Sequence, residues 1–292
     1  MGASLLRPLF SIILSSDPRN TWARLVVIVE KLFDTDEVIL NYDEGPNNGP
    51  PLLLIHGFPR WRNDFQPIIP ELSETNHVYA VDLRGHGKSG RVKGQYALKD
   101  YTRDVVKLLE RVIKEPAVLF GHSLGGWVSL MVAAQRPEHV KALIIGDSPL
   151  NFKEFSDVLK GYSEWWITNR NHSMRTYEAL REEMDSESAE RLSLVDPDVF
   201  KLWIEGCEDR SAFDEIFEGY DITELLRVIK CPVLLLQGND QTLPDRDVDY
   251  AKSVLPDIIH ARFNSYGHYL GLDTGDEAEL MNVVSSFLSS IS

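Results

Sequence analysis

One short string, GHSLGG at 121–126, constrains the fold of this chain more than any other stretch. An apolar run precedes it and an amphipathic run follows it, so the sequence predicts a strand, a tight turn and a helix in direct succession. Gly121 and Gly125 lie two residues before and two residues after Ser123, where a side chain would collide with the neighbouring chain in a strained turn. The spacing indicates a turn that lifts the hydroxyl group of Ser123 clear of a sheet.

The place of Ser123 at the start of a helix suggests a chemical role for it. The backbone N–H of Leu124 would point out of the positive helix end, toward any anion formed beside the serine. A serine hydroxyl is a poor nucleophile until a neighbouring imidazole accepts its proton, and that imidazole needs a carboxylate to orient it. A GxSxG string alone is weak evidence, so the rest of the chain must supply the histidine and the acid.

Alternating strand and helix signals predict the fold class. Continuous apolar runs are typical of strands that are covered on both faces. Such runs lie at 51–57, 77–82, 117–120, 142–147, 231–238 and 258–263. Helical periodicity occurs at 98–114, 246–254 and 276–289. Repeated strand–helix units predict an α/β fold with a mostly parallel sheet and helices on both faces. In addition, EVILNYD at 37–43 and the turn-forming residues after it predict a β-hairpin.

Residues 149–229 interrupt this alternation. They contain no comparable apolar strand but are rich in aromatic residues, so we expect a helical cap inserted into the sheet domain. The sheet domain would then consist of residues 1–148 and 230–292, with residues 1–30 as an N-terminal extension. The aromatic residues of the insertion are Phe152, Phe155, Tyr162, Trp165, Trp166, Tyr177, Phe200, Trp203, Phe213, Phe217 and Tyr220.

Candidate partners for Ser123 lie after two of the later strands. Asp240 follows the strand at 231–238, and His268 follows the strand at 258–263. The chain order of serine, acid and histidine is that of a hydrolytic triad on a strand–helix scaffold. Asp147, which follows the strand at 142–147, is the alternative acid. We predict Ser123 as the nucleophile, His268 as the base and Asp240 as the orienting acid, with Asp147 left open as the competitor.

Five motifs in order resemble the α/β-hydrolase family, over roughly residues 37–290. They are HGFP at 56–59, DLRGHGKSG at 82–90, GHSLGG at 121–126, the loop that carries Asp240, and GH at 267–268. The resemblance implies that the backbone N–H of Phe58 joins that of Leu124 in an oxyanion hole. HGFP and the RWRNDF that follows resemble epoxide hydrolases and haloalkane dehalogenases, whose nucleophile is an aspartate, and Ser123 departs from that pattern.

A serine nucleophile suits attack on a carbonyl carbon, so we expect a carboxylic ester hydrolase that forms an acyl-enzyme. The serine turn at 121–126 does not distinguish this activity from lactonase, thioesterase, amidase or carbon–carbon bond hydrolase activity, or from haloperoxidase-like perhydrolysis. A ligand receptor that retains the triad is an alternative of another class. The substrate is expected to be a small to medium, mainly apolar ester. The candidate substrate contacts are Trp61, Trp127, Trp165 and Trp166.

Composition and charge limit the partners of the chain. Thirty basic and 45 acidic residues give a formal net charge of −15, which repels phosphate backbones and makes nucleic acid an unsuitable partner. The chemistry requires no metal or organic cofactor.

Cys207 and Cys231 lack metal-ligand spacing and are too few for a disulfide framework, which favours a reducing compartment. The apolar run near the N-terminus lacks a clear cleavage pattern and is broken at Pro8, so we expect a cytoplasmic protein without a membrane span.

Two nucleotide-binding patterns in the DLRGHGKSG stretch are excluded by their context. Gly85, Gly87 and Gly90 spell GxGxxG after a strand, but the next helix begins near residue 98, so a pyrophosphate would have no helix end to bind. Gly87-Lys88-Ser89 resembles the end of a phosphate-binding loop, but Asp82 occupies the position of its first glycine.

Overall fold

The structure is a computed structural model that describes residues 9–14, 25–150, 163–208, 222–255 and 257–291. Its centre is one nine-stranded sheet with the strand order β1-β2-β3-β5-β4-β6-β7-β8-β9. The strands are β1 (Leu9–Leu14), β2 (Leu25–Asp34), β3 (Ile39–Glu44), β4 (Pro51–Ile55), β5 (His77–Val81), β6 (Ala117–His122), β7 (Val140–Gly146), β8 (Val233–Gln237) and β9 (Ile258–Arg262). The strands from β5 to β9 in this spatial order pair in parallel, and β1, β2 and β3 pair antiparallel at one edge.

Helices connect the parallel strands. They are α1 (Ile69–Leu72), α2 (Leu98–Leu108), α3 (Leu124–Gln135), α4 (Ser163–Ser173), α5 (Tyr177–Leu180), α6 (Ser186–Ser193), α7 (Pro197–Glu208), α8 (Ile222–Leu226), α9 (Asp245–Val254) and α10 (Ala278–Ser290). A π-helical turn at Leu109–Ile113 extends α2, and 3-10 turns lie at Arg62–Phe65 and Pro137–His139. Within the described ranges, no helix is both long and apolar enough to cross a membrane.

Apolar side chains cover both faces of the sheet, as the continuous apolar runs predict. On β6, Leu119 packs into one core cluster and Phe120 into the other, and both side chains are fully buried. On β4, Leu53 and Leu54 divide between the same two clusters. Because alternate side chains of a strand point to opposite faces, burial of every residue requires helices on both sides. The predicted α/β architecture is confirmed.

The N-terminal edge of the sheet differs from the prediction. The predicted hairpin is wrong, because β3 pairs antiparallel with β2 and β5 and does not pair with β4, the next strand in the chain. The strands β1 and β2 were not predicted; β1 and the first part of β2 lie within residues 1–30, which were expected to form an N-terminal extension. These strands add an antiparallel edge to a parallel sheet, which is a common arrangement in large sheets.

The helices α4 to α7 lie between β7 and β8 in the chain, and we refer to them as the inserted helices. They are attached to the loop at 82–90 by two hydrogen bonds through Asp196: its backbone N–H donates to the carbonyl oxygen of Gly85 over 2.8 Å, and Tyr96 Oη donates to its carboxylate over 2.5 Å. Trp165, Trp166, Tyr177, Phe200 and Trp203 are described in this region. The other aromatic residues of the predicted cap, at 152, 155, 162, 213, 217 and 220, lie outside the described residues.

Candidate active site

Ser123 occupies a strained turn between β6 and α3. Its φ of 52° and ψ of −116° place it in a backbone region that non-glycine residues rarely adopt. Its N–H donates to the carbonyl oxygen of Gly146 over 2.8 Å, and its own carbonyl oxygen accepts from Gly126 N over 2.9 Å and from Ser148 Oγ over 2.8 Å. These bonds to β7 and to the first turn of α3 hold the strained conformation in place.

The glycines around the turn are required by close backbone contacts. A Cβ atom on Gly121 would lie 2.1 Å from the carbonyl oxygen of Gly125, and one on Gly125 would lie 2.0 Å from the carbonyl oxygen of Ile55. A Cβ on Gly57 would lie 2.9 Å from Cβ of Ser123, so the HGFP loop passes directly against the nucleophile turn. The clash inferred from the GxSxG spacing is therefore confirmed: at Gly125 it is with Ile55 at the end of β4, and at Gly121 it is with Gly125 itself.

His268 is held beside this turn by three separate contacts. Its Nδ1 atom lies 2.8 Å from Oδ2 of Asp147, and its backbone N–H donates to Oδ2 of Asp240 over 2.7 Å. Its carbonyl oxygen lies 2.7 Å from Nε2 of His122, and the rings of His122 and His268 have centroids 4.7 Å apart. Since His122 directly precedes Ser123, the imidazole of His268 is packed against the nucleophile turn.

The acid that contacts the ring is Asp147, so the assignment of that role to Asp240 is corrected. Asp147 is fully buried at the end of β7, with a positive φ of 46°. Its Oδ1 atom accepts from the backbone N–H of Gly238 over 2.7 Å while Oδ2 faces His268. A buried carboxylate held by a backbone donor can fix the orientation of an imidazole and stabilise its cation. Asp240 follows the adjacent parallel strand β8. Its carboxylate accepts from the backbone N–H of His268, and the residue is exposed.

Both proposed oxyanion donors adjoin Ser123. Leu124 is the first residue of α3, so its N–H has no acceptor within the helix, and Phe58 follows Gly57 in the loop that touches Ser123. Among the described residues, neither N–H donates a hydrogen bond to another protein group. Two free N–H groups beside a serine form a site suited to an oxyanion.

The side chain of Phe58 belongs to an aromatic cluster that joins the core to the inserted helices. Trp203 of α7 stacks on Phe58, with centroids 5.1 Å apart and an interplanar angle of 16°, and also on Trp127 of α3 at 5.9 Å and 19°. Trp166 of α4 lies 5.3 Å from Phe58 and 5.6 Å from Trp203. The inserted helices therefore pack directly on the loop that carries Phe58.

The four tryptophans predicted as substrate contacts lie in different surroundings. Trp127 is 1% exposed and donates its indole N–H to the carbonyl oxygen of Pro149 over 2.7 Å, so it is part of the core. Trp166 is buried against Phe58, whereas Trp165 is 42% exposed. Trp61 is buried and lines a cavity of about 470 Å³ between the 3-10 turn at 62–65, α6 and the residues after His268. Ser123 is not among the residues that line this cavity.

Three further histidines support the loops around the site as neutral rings. Burial lowers the pKa of His56 to about 4 and that of His86 to about 3. His56 donates from Nδ1 to the carbonyl oxygen of Gly57 over 2.7 Å and accepts at Nε2 from Leu83 N over 2.9 Å. Burial and the nearby His268 lower the pKa of His122 well below its usual value, so its Nε2–H donates to the carbonyl oxygen of His268. No group of three or more histidine, cysteine or acidic side chains in the described part of the chain is arranged to hold a metal ion.

Lowering the pH from 7 to 5 is expected to destabilise the fold, by about 2 kcal/mol for each of His56 and His86. Their pKa values are lowered in the folded chain, to about 4 and about 3, from 6.5. As the pH falls below 6.5 the unfolded chain binds protons that the folded chain does not, so stability is lost. Burial raises the pKa values of Asp64 and Asp82, so protonation of these two carboxylates stabilises the folded chain at lower pH. The pH range of the test therefore ends at pH 5.

Urea denaturation at pH 7, 6 and 5 measures this dependence. His139→Gln, at a partly exposed position outside the buried histidine group, is the matched control and should leave the dependence unchanged. Equal free energies of unfolding at pH 7 and pH 5 would contradict the assignment of His56 and His86 as neutral buried rings.

Comparison with known proteins agrees with the fold. Residues 50–173 match the family model for the alpha/beta hydrolase fold. A 2-(acetamidomethylene)succinate hydrolase of Mesorhizobium japonicum is 33% identical over 41% of this chain and 42% of its own length, so this chain spans less than half of that relative. A bifunctional esterase/perhydrolase of Acinetobacter calcoaceticus is 28% identical over 82% of this chain and 91% of its own length. A crystal structure of an E-2-(acetamidomethylene)succinate hydrolase superposes with a TM-score of 0.70, at 21% identity over 90% of this chain and 99% of that chain.

The chain has the α/β-hydrolase fold, and residues 50–173 match the model of that family. The sheet topology, the family model and the solved structure agree on this point, which confirms the resemblance seen in the motifs. The structure brings His268 to the turn of Ser123, as expected, but places Asp147, the alternative acid, against the ring in place of Asp240. His122 contacts His268, which agrees with a supporting role for that histidine, whereas nothing in the sequence singled out Ser148. In the sequence Asp147 directly follows an apolar run, which is why it was the alternative acid.

Proposed function

We propose that this protein is a serine hydrolase that cleaves carboxylic esters through an acyl-enzyme. The observation that carries the proposal is the contact of His268 with the buried carboxylate of Asp147 beside the strained turn of Ser123. A neutral imidazole in this position can accept the serine proton as the oxygen attacks an ester carbonyl. Asp147 replaces Asp240 as the third member of the proposed triad.

The reaction proceeds in two halves. Oγ of Ser123 attacks the carbonyl carbon while its proton passes to Nε2 of His268, and the N–H groups of Phe58 and Leu124 bind the oxyanion. Collapse of this intermediate breaks the ester C–O bond, and His268 gives the proton to the departing alcohol. Water then attacks the acyl-enzyme with His268 as base, which releases the acid and restores the hydroxyl of Ser123. No step requires a metal or an organic cofactor.

We further propose that residues 149–229 act as a cap that favours small to medium, mainly apolar esters. Support comes from the inserted helices, whose Trp166 and Trp203 pack on Phe58 of the oxyanion loop. An apolar substrate that reaches Ser123 would contact this aromatic surface and lose unfavourable contact with water. Cleavage of charged short-chain esters at the same rate as hydrophobic ones would rule out this preference.

Perhydrolysis is the second candidate, and the name of the Acinetobacter calcoaceticus relative favours it. Hydrogen peroxide in place of water as the attacking group would convert the same acyl-enzyme into a peracid. Both reactions share the first half, so the nucleophile, base and oxyanion donors keep their roles. Peracid formation from an ester and peroxide, compared with the rate of acid release, distinguishes the two outcomes.

Stopped-flow assays with p-nitrophenyl esters of increasing acyl length test the proposed function. An acyl-enzyme predicts a burst of about one p-nitrophenol per chain whenever deacylation is the slower half, followed by continued turnover. A receptor that retains the triad would release at most one equivalent and then stop. Binding of the esters without any release of p-nitrophenol would contradict the proposal.

A further inference from the structure

We infer that Asp240 is a positioning residue that holds the backbone of His268, in a role separate from that of the acid on the ring. The inference rests on the proposed function, because it concerns the geometry of the same histidine. Asp240 lies just after β8, and His268 lies in the loop after β9, so their contact joins the loops of two neighbouring strands.

Four hydrogen bonds connect or brace these two loops. Oδ2 of Asp240 accepts from the N–H of His268 over 2.7 Å, and Oδ1 accepts from the N–H of Thr242 over 3.2 Å. The backbone N–H of Asn239 donates to the carbonyl oxygen of Tyr266 over 2.9 Å. The side-chain NH2 of Asn239 donates to the backbone carbonyl oxygen of Asn264 over 2.8 Å. The segment before His268 is therefore tied to the end of β8, and Asp240 provides the bond to His268 itself.

The local sequence makes this contact possible through two glycines. A Cβ atom on Gly238 would lie 2.5 Å from the carbonyl oxygen of Gly267, so the two backbones approach too closely for a side chain there. A Cβ on Gly267 would lie 3.0 Å from Oδ2 of Asp240. Glycine at both positions brings the carboxylate within hydrogen-bond distance of the next N–H in the chain, which is that of His268.

The two carboxylates near His268 meet different chemical demands. Asp147 is buried and faces Nδ1, where a negative charge sets the tautomer and stabilises the imidazolium. Asp240 is exposed and faces a peptide N–H, which never loses its proton during the reaction and needs only an acceptor. An asparagine, which keeps a carbonyl oxygen but no charge, should therefore serve at position 240 and fail at position 147.

Paired substitutions at the two positions test this difference. Asp240→Ala is expected to lower kcat by about 10- to 100-fold with little change in KM, because a shift of His268 by about 1 Å can cost that much. Asp240→Asn should recover most of that loss, and the acid limb of its kcat–pH profile should coincide with that of the wild type. Asp147→Asn should be no more active than Asp147→Ala. Asp249→Ala, which removes an exposed charge on α9, is the matched control.

Two results would overturn the inference. If Asp240→Asn is as impaired as Asp240→Ala and its acid limb is shifted, Asp240 acts through its charge as the acid of the triad. If Asp240→Ala has the kinetics of the Asp249→Ala control, the contact with His268 has no functional role. Thermal unfolding verifies that each variant is folded, and Asp240→Ser, whose hydroxyl is too short to replace the carboxylate, substitutes for an alanine variant that does not fold.

Failure of the inference can be told apart from failure of the proposed function. Absence of ester turnover by the wild type would refute the function whatever the variants do. In that case the rate at which a fluorophosphonate labels Ser123 in the same variants gives the readout, since this reaction also requires a correctly placed His268. Equal labelling rates for the wild type and Asp240→Ala would overturn the inference.

Discussion

Replacing Ser123 by alanine is expected to lower kcat by about 10⁶-fold, because loss of the nucleophile removes the covalent route entirely. KM should change little, since the aromatic surface around Phe58 and the two oxyanion donors remain. Alanine at this position still has to adopt a φ of 52°, so the turn keeps the strain that the serine bears. The measurement is kcat and KM for a p-nitrophenyl ester, together with the thermal unfolding of both chains.

Ser253→Ala is the matched control for this substitution. Ser253 lies on α9, and its exposed hydroxyl donates to the carbonyl oxygen of Tyr250 over 2.6 Å within the helix. Its loss should leave turnover unaffected. If Ser123→Ala retained a tenth or more of the wild-type kcat, ester cleavage would have to use another nucleophile, and the role of the serine turn would be wrong.

Replacing Asp147 by asparagine is expected to lower kcat by about 10⁴-fold, the second largest effect in the site. The asparagine side chain carries no negative charge. With its oxygen on the N–H of Gly238, its NH2 group faces Nδ1 of His268 and favours the tautomer that cannot take the proton of Ser123. The Gly238 N–H, which donates to Oδ1 of Asp147 over 2.7 Å, still has the amide oxygen as its acceptor, so the chain should fold.

The pH dependence of Asp147→Asn adds a second readout. Asparagine removes the negative charge that faces Nδ1 of His268, so the kcat–pH profile of the variant should differ from that of the wild type in its acid limb. A loss of less than tenfold, or an unchanged acid limb, would show that Asp147 does not serve the ring. Asp240 would then again be the candidate for the acid.

Local patterns in the sequence predicted most of the fold and the tight turn at Ser123. The strands from β4 to β8 are mainly apolar runs, and the glycines around Ser123 lie where backbone atoms would collide with a side chain. The apolar runs depend only on neighbours in the chain, and the glycine spacing is a general feature of this kind of turn. They can therefore be read without knowing which elements meet.

The features that the sequence did not settle depend on which distant segments meet. Asp147 and Asp240 follow the adjacent strands β7 and β8 and reach the same edge of the sheet, so chain order could not decide which one faces the ring. In the structure the carboxylate of Asp147 faces Nδ1 of His268, whereas that of Asp240 accepts from its backbone N–H. The contact of Trp203 with Phe58 and the pairing of β3 with β5 depend on tertiary packing in the same way.

Labelling by a fluorophosphonate, with the modified residue located by tandem mass spectrometry, tests the central claim most directly. The probe reacts with a serine hydroxyl that a neighbouring base activates, so its reaction with the wild type and with His268→Gln together reports the pairing of Ser123 with His268 without any assumption about the substrate. We predict one adduct per chain, on Ser123, and greatly slowed labelling in His268→Gln. Absence of an adduct on Ser123, or labelling as fast in His268→Gln as in the wild type, would contradict the account.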